Sequence, residues 1–412
     1  MQRSLAIRRR VYGDNSIETA KGLNDEAELL NDKGQYAQAE AYAQQALALR
    51  QSFLGPFSPD TAITTNFLGM AMAYQGRRPE AEAMFRKAVE IWDRQPLSLR
   101  TDRALEPLNN LGTMLMMRGD FVDAEATTRN LLATAKQLYG EDAPPTTQGL
   151  ELLGTILRDE GKFEEADNDL RESVAIRVKI YGARNFEVGA AELNLANVLR
   201  DEGRYVEAEK LYLNVISIQR EAMGPESQRV GHALHELGYL YLERGDLSHA
   251  ENALRHALAI QIKLVGKTGP DVAIDESSLA RALLAEGKLA EAKVEIESAI
   301  DLEKKTSGDT SLDRASIDLV LGAWQAVSHQ PRAAETTLRE ALSLDRSKLP
   351  AVHPETALAL ETLGAFLSKQ GRPQEASSLL AEALTIRQKT LPAGSPRIAE
   401  TQKLLEQARL PA

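Results

Sequence analysis

A glycine returns every 42 residues along almost the whole chain, at Gly34, Gly76, Gly119, Gly161, Gly203, Gly245, Gly287 and Gly371, with one step of 43 and His329 standing in once. Around each lies the same punctuation, clearest from Asp201 to Glu209: a helix stop, a turn and a helix start. A fixed period through 412 residues argues against two or three compact globular domains. It predicts one array in which each unit packs only on its neighbours.

Within the repeat, small and apolar residues recur at helical spacing. Seven positions before the turn come Ala27, Gly69, Gly112, Gly154, Ala196, Gly238, Ala280, Gly322 and Gly364, always small, so that a partner helix can approach closely. The residue before each is leucine, except Glu26 in the first repeat. Five positions after the turn alanine runs without a break from Ala39 to Ala376. Pro79, Pro331 and Pro373 fall in the first turn of the second helix, where a missing amide hydrogen costs little. Pro59, Pro144, Pro270, Pro354 and Pro396 mark the connector to the next pair. The expected organisation is a half repeat over 1–13, nine helix pairs over 14–393 and a capping helix over 394–412. The apolar face of the half repeat (Leu5, Ile7, Val11, Tyr12) has no earlier helix in this sequence to cover it, which fits either an upstream continuation or a helical cap.

These features, with Asn109-Asn110-Leu111-Gly112 and the stretch from Glu202 to Glu209, resemble the 42-residue tetratricopeptide repeat of kinesin light chains and their bacterial relatives. The resemblance implies an all-α right-handed superhelix, an α-solenoid that binds peptides or proteins in its concave groove. It departs from the family in places. The His-Pro connector is whole only at His353-Pro354, the doubled asparagine occurs only at Asn109-Asn110, and no heptad region for joining a motor is present.

Composition narrows the partners. A formal charge of −11 argues against nucleic acid or an anionic membrane, and no basic run exceeds Arg8-Arg9-Arg10. The absence of cysteine excludes disulfides, thiolate metal sites and cysteine nucleophiles. With no apolar signal core and no apolar run of spanning length, the expectation is a cytoplasmic protein without a cofactor.

Positions 13, 10, 6 and 3 before each turn form the least uniform stripe of the first helix, and are read as the free groove face. Early repeats place Asn24, Asn66 and Asn109 there, a ladder suited to a peptide backbone, as the resemblance also implies. The middle repeats add Arg158, Asn197, Arg200, His232, His235, Tyr239 and Arg281, a positive trough suited to an acidic segment. Neighbouring Asp159, Asp201, Glu192, Glu236 and Glu243 offer the alternative of local neutralisation. Leu319, Ala323, Ala326, Leu358 and Ala365 make the late stripe apolar. His232, His235, His249 and His256 share one repeat, but they are spread over two helices and are not expected to converge on a metal. The leading expectation is an interaction scaffold. A sensor or regulatory part of a larger signalling or protease system is the alternative, and a metal-dependent enzyme a distant third.

Overall fold

The computed structural model describes residues 2–269, 271–306 and 311–409, so Pro270 and the last three residues of the expected cap lie outside the described residues. Twenty α-helices and no strand occur among the described residues, giving an all-α solenoid. The chain divides into two compact units, residues 1–156 and 157–412.

Unit 1 holds α1 (Gln2–Tyr12), α2 (Ile17–Asp32), α3 (Tyr36–Leu54), α4 (Pro59–Tyr74), α5 (Arg78–Asp93), α6 (Leu105–Arg118), α7 (Phe121–Tyr139) and most of α8 (Pro144–Asp159). Serine caps open two of its helices, with Ser16 and Ser58 accepting from the amides of Thr19 and Thr61. The small column is small because the second helix presses on it. A Cβ on Gly69 would lie 2.7 Å from the Phe85 ring, and one on Gly112 would lie 2.6 Å from Thr128 Oγ1. Leu5 of α1 is buried against Leu23 and Ala46, while Ile7, Val11 and Tyr12 stay exposed.

Unit 2 continues with α9 (Phe163–Tyr181), α10 (Phe186–Asp201), α11 (Tyr205–Met223), α12 (Gln228–Arg244), α13 (Leu247–Val265), α14 (Val272–Ala285), α15 (Leu289–Thr306), α16 (Leu312–Val327), α17 (Pro331–Lys348), α18 (Pro354–Lys369), α19 (Pro373–Thr390) and α20 (Pro396–Arg409). Its small column is equally crowded, with Gly238, Gly322 and Gly364 pressed by Leu254, Leu338 and Leu380. The turn demands a left-handed backbone, and His329 adopts it at φ 58° where the other repeats use glycine. The alanine column is fully buried in both units, from Ala39 to Ala376.

In several repeats a polar tether joins a second helix to the start of the next first helix. In unit 1, Arg8 pairs with Glu18 and Arg50 with Asp60, both at 3.6 Å. In unit 2, Arg177 pairs with Glu187, and Gln261 donates to Asp271 at 3.1 Å. The same two positions hold carboxyls on both sides at Glu303 and Asp313, and again at Asp345 and Glu355. Unit 2 also returns on itself. Arg397 at the start of α20 is ion-paired with Glu243 of α12, and a Cβ on the turn residue Gly203 would lie 2.5 Å from Pro396.

Candidate functional site

The position ten residues before the turn is committed in four repeats. In unit 1, Asn24 is buried, accepting from Thr64 at 2.9 Å and from Arg50 at 3.2 Å. Asn66, 1% exposed, donates to Glu106 at 3.2 Å and accepts from Asn110 at 3.0 Å. In unit 2 the equivalent residues do the same: His235 Nδ1 lies 2.6 Å from Asp275, and Glu361 accepts from Thr401 at 2.6 Å. The bonds of Asn24 to Thr64, Asn66 to Glu106, His235 to Asp275 and Glu361 to Thr401 each span 40 residues and stitch one first helix to the next. The expected asparagine ladder is thus corrected: Asn24 and Asn66 spend their amides between repeats because consecutive first helices pack side by side. Asn109 is exposed.

In unit 2 the central arginines are committed rather than free. Arg158 donates to Asp159 at 2.8 Å and lies 3.8 Å from Asp201. Arg200 donates to Asp201 at 3.2 Å and to Glu236 at 2.5 Å. The local neutralisation weighed from sequence therefore holds for these two. Burial works against the charge of Glu236, yet Arg200 and the neighbouring histidines hold its carboxyl below the usual range. Nor are these residues well exposed, with side chains 24% accessible at Arg158 and 11% at Arg200. Asn197 accepts from the buried Tyr212 hydroxyl at 2.6 Å, and the exposed His232 lies 3.6 Å from Glu236.

Tyr239 is the centre of the cluster. The guanidinium carbons of Arg200 and Arg281 each lie 5.4 Å from its ring centroid, and Arg281 donates to its hydroxyl at 2.9 Å. Among the described residues Arg281 has no carboxylate within ion-pairing distance. Tyr239 and Arg281 line a cavity of about 340 Å³ within unit 2. Its other walls include Tyr205, Glu355, Leu358, Glu361, Arg387 and Arg397. Of these, Leu358 and Glu361 lie at stripe positions of α18, and Glu355 begins the same helix. Tyr205 and Arg387 come from second helices and Arg397 from the final helix, and no periodic signal marks their meeting. Leu319, by contrast, is buried in the core of the late repeats. No group of three or more His, Asp or Glu side chains placed to hold a metal occurs among the described residues, and among them no helix is long and apolar enough to cross a membrane.

The family profile described as tetratricopeptide repeat matches residues 22–94, 103–178 and 187–263, and a second profile of the same description matches 356–397. No curated protein matches the chain. Among solved structures, a Rap protein complexed with competence and sporulation factor is similar at 15% identity and TM-score 0.61, over 95% of this chain and 99% of that one. The apo form of the quorum sensor NprR from B. thuringiensis is similar at 16% identity and TM-score 0.60, over 90% of this chain and 99% of that one. BtubC (BKLC) from P. vanneervenii is 23% identical with TM-score 0.49, over 56% of this chain and 92% of that one.

Proposed function

Because the chain belongs to the tetratricopeptide repeat family, we propose that this interaction module captures a segment of another protein in the unit 2 cavity, with Arg281 taking an acidic side chain or terminal carboxylate of that segment. One observation carries the reading: a guanidinium in the cavity wall whose hydrogen bond goes to a neutral hydroxyl, while Arg158 and Arg200 already hold carboxylates. A bound carboxylate would give Arg281 the charge-assisted, two-pronged partner that its geometry favours. Tyr239 would stack beside it and keep the guanidinium in place. Binding rather than catalysis, in the cytoplasm, belongs to the same proposal.

The test is selection of displayed peptides on the immobilised protein, with wild type beside Arg281→Gln. Wild type should enrich peptides carrying Asp, Glu or a free C-terminus, with affinity falling as salt rises, and Arg281→Gln should lose that enrichment. Equal enrichment by both would overturn the reading.

A regulatory reading is favoured by the Arg397–Glu243 pair, which fastens α20 beside the same cavity. NprR is a quorum sensor, and the Rap protein is seen with competence and sporulation factor. By analogy, a segment entering this cavity would release α20 and report its own presence.

A further inference from the structure

Unit 1 carries a second cavity, of about 260 Å³, and its electrostatics are opposite in sign to an arginine anchor. Glu28 and Asp32 of α2, Glu106 of α6 and the exposed amides of Asn109 and Gln148 line it. The one cation in its wall, Arg103, is shared between Glu28 at 3.2 Å and Glu106 at 3.1 Å. Its guanidinium carbon stands 5.5 Å from the centroid of the Phe67 ring, which lines the same cavity. Two of the three carboxyls therefore share one guanidinium, and the third, the exposed Asp32, makes no ion pair among the described residues.

A second observation is independent of the acids. Asn31 also lines the cavity and is buried, 5% exposed. Its Nδ2 donates to the Phe67 carbonyl at 3.3 Å, which fixes the amide and leaves Oδ1 as the free end. That oxygen is buried and has no donor. An unsatisfied buried acceptor carries a desolvation cost that a donor would relieve. Carboxylates, an orphaned carbonyl and an aromatic face together call for a partner that only donates.

We propose that the unit 1 cavity binds an organic cation, a guanidinium or primary ammonium group. Arg103 already shows how such a group sits here, between two carboxyls and beside an aromatic face, and a ligand cation would take up the remaining acceptors at Asp32 and Asn31. The local field agrees: burial pushes the Glu106 carboxyl up, and Glu28 and Asp102 add to that push against the opposing pull of Arg103. Burial, the largest part of that push, opposes a charge of either sign, and only the share from Glu28 and Asp102 favours an incoming cation. The cation has two chemical sources, the side chain of a basic peptide or a free guanidino-amine, and they are separable.

The experiment is calorimetric titration of the full chain with acetyl-Gly-Arg-Gly-amide, with its citrulline counterpart and with agmatine. The arginine peptide should bind saturably and about tenfold more tightly than the neutral citrulline peptide. The tighter of the arginine peptide and agmatine identifies the source. Asp32→Asn should weaken the cation severalfold and Gln148→Glu should strengthen it; both positions are exposed, and opposite signs exclude a general folding defect. Arg281→Gln should leave this binding unchanged, which keeps the result separate from the unit 2 reading. Equal binding of the citrulline peptide, no saturable heat from either cation, or indifference to both variants would overturn the proposal.

Discussion

His235 of α12 and Asp275 of α14 meet at 2.6 Å and tie two successive first helices together. Burial opposes the charged imidazole, but the hydrogen bond and charge of Asp275 outweigh it and raise His235 above its usual range. A raised histidine contributes stability that is complete below the unfolded pKa of about 6.5 and is lost as pH rises through the folded value. Urea unfolding of unit 2 should therefore show a decline through and above neutrality that His235→Gln flattens. A variant with the same slope as wild type would count against the stitch.

Asp345 adds a decline of its own over a lower range. Burial, with Glu355 close by, pushes its carboxyl up to about 7, and its Oδ2 has no hydrogen-bond donor. Here the native state holds a proton that the unfolded state releases near pH 4, so stability falls as pH rises from about 4 to about 7 and is flat above. Asp345→Asn should raise stability at pH 8 by on the order of 2–4 kcal/mol and change it little at pH 4. Thermal melts of the two proteins at both pH values check the sign.

Arg200→Ala should destabilise unit 2 by about 2–4 kcal/mol, because it strands Glu236 and Asp201 in a mostly buried cluster. Reading this position as part of a free groove face would make the change nearly neutral in stability, on the premise that the side chain is exposed. Its 11% accessibility removes that premise. Double-mutant cycles with Glu236→Gln would isolate the pair.

Glu26 occupies the column that is otherwise leucine, and it is buried with Oε1 unpartnered. Glu26→Leu restores the column and should raise the stability of unit 1 by about 1–3 kcal/mol, read from the urea midpoint. No gain would show that the pocket has adapted to the carboxyl.

The apolar architecture was legible because burial by the partner helix within a repeat forces small residues at fixed positions, as the crowding of Gly69 and Gly238 shows. Polar burial between repeats was not. Asn24, Asn66 and His235 look like a variable surface stripe because the constraint falls on complementarity across 40 residues, not on residue type. The tethers were hidden in the same way: Arg8 with Glu18, Arg50 with Asp60 and Arg177 with Glu187 share one spacing, a signal that pairwise reading could have found. The unit 2 cavity depends on residues from distant repeats, and no local pattern announces such a meeting.

The fastening of Arg397 to Glu243, with Pro396 against Gly203, changes how unit 2 should come apart. An array coupled only to nearest neighbours frays from its ends, and the loss of a terminal helix leaves the middle untouched. Here the last helix touches the α10–α11 turn directly, so deleting it should raise amide exchange at Gly203 and Glu243 as well as in α19. Cooperativity in this unit has the topology of a closed circuit, in which the weakest junction anywhere along the path limits the persistence of all the others.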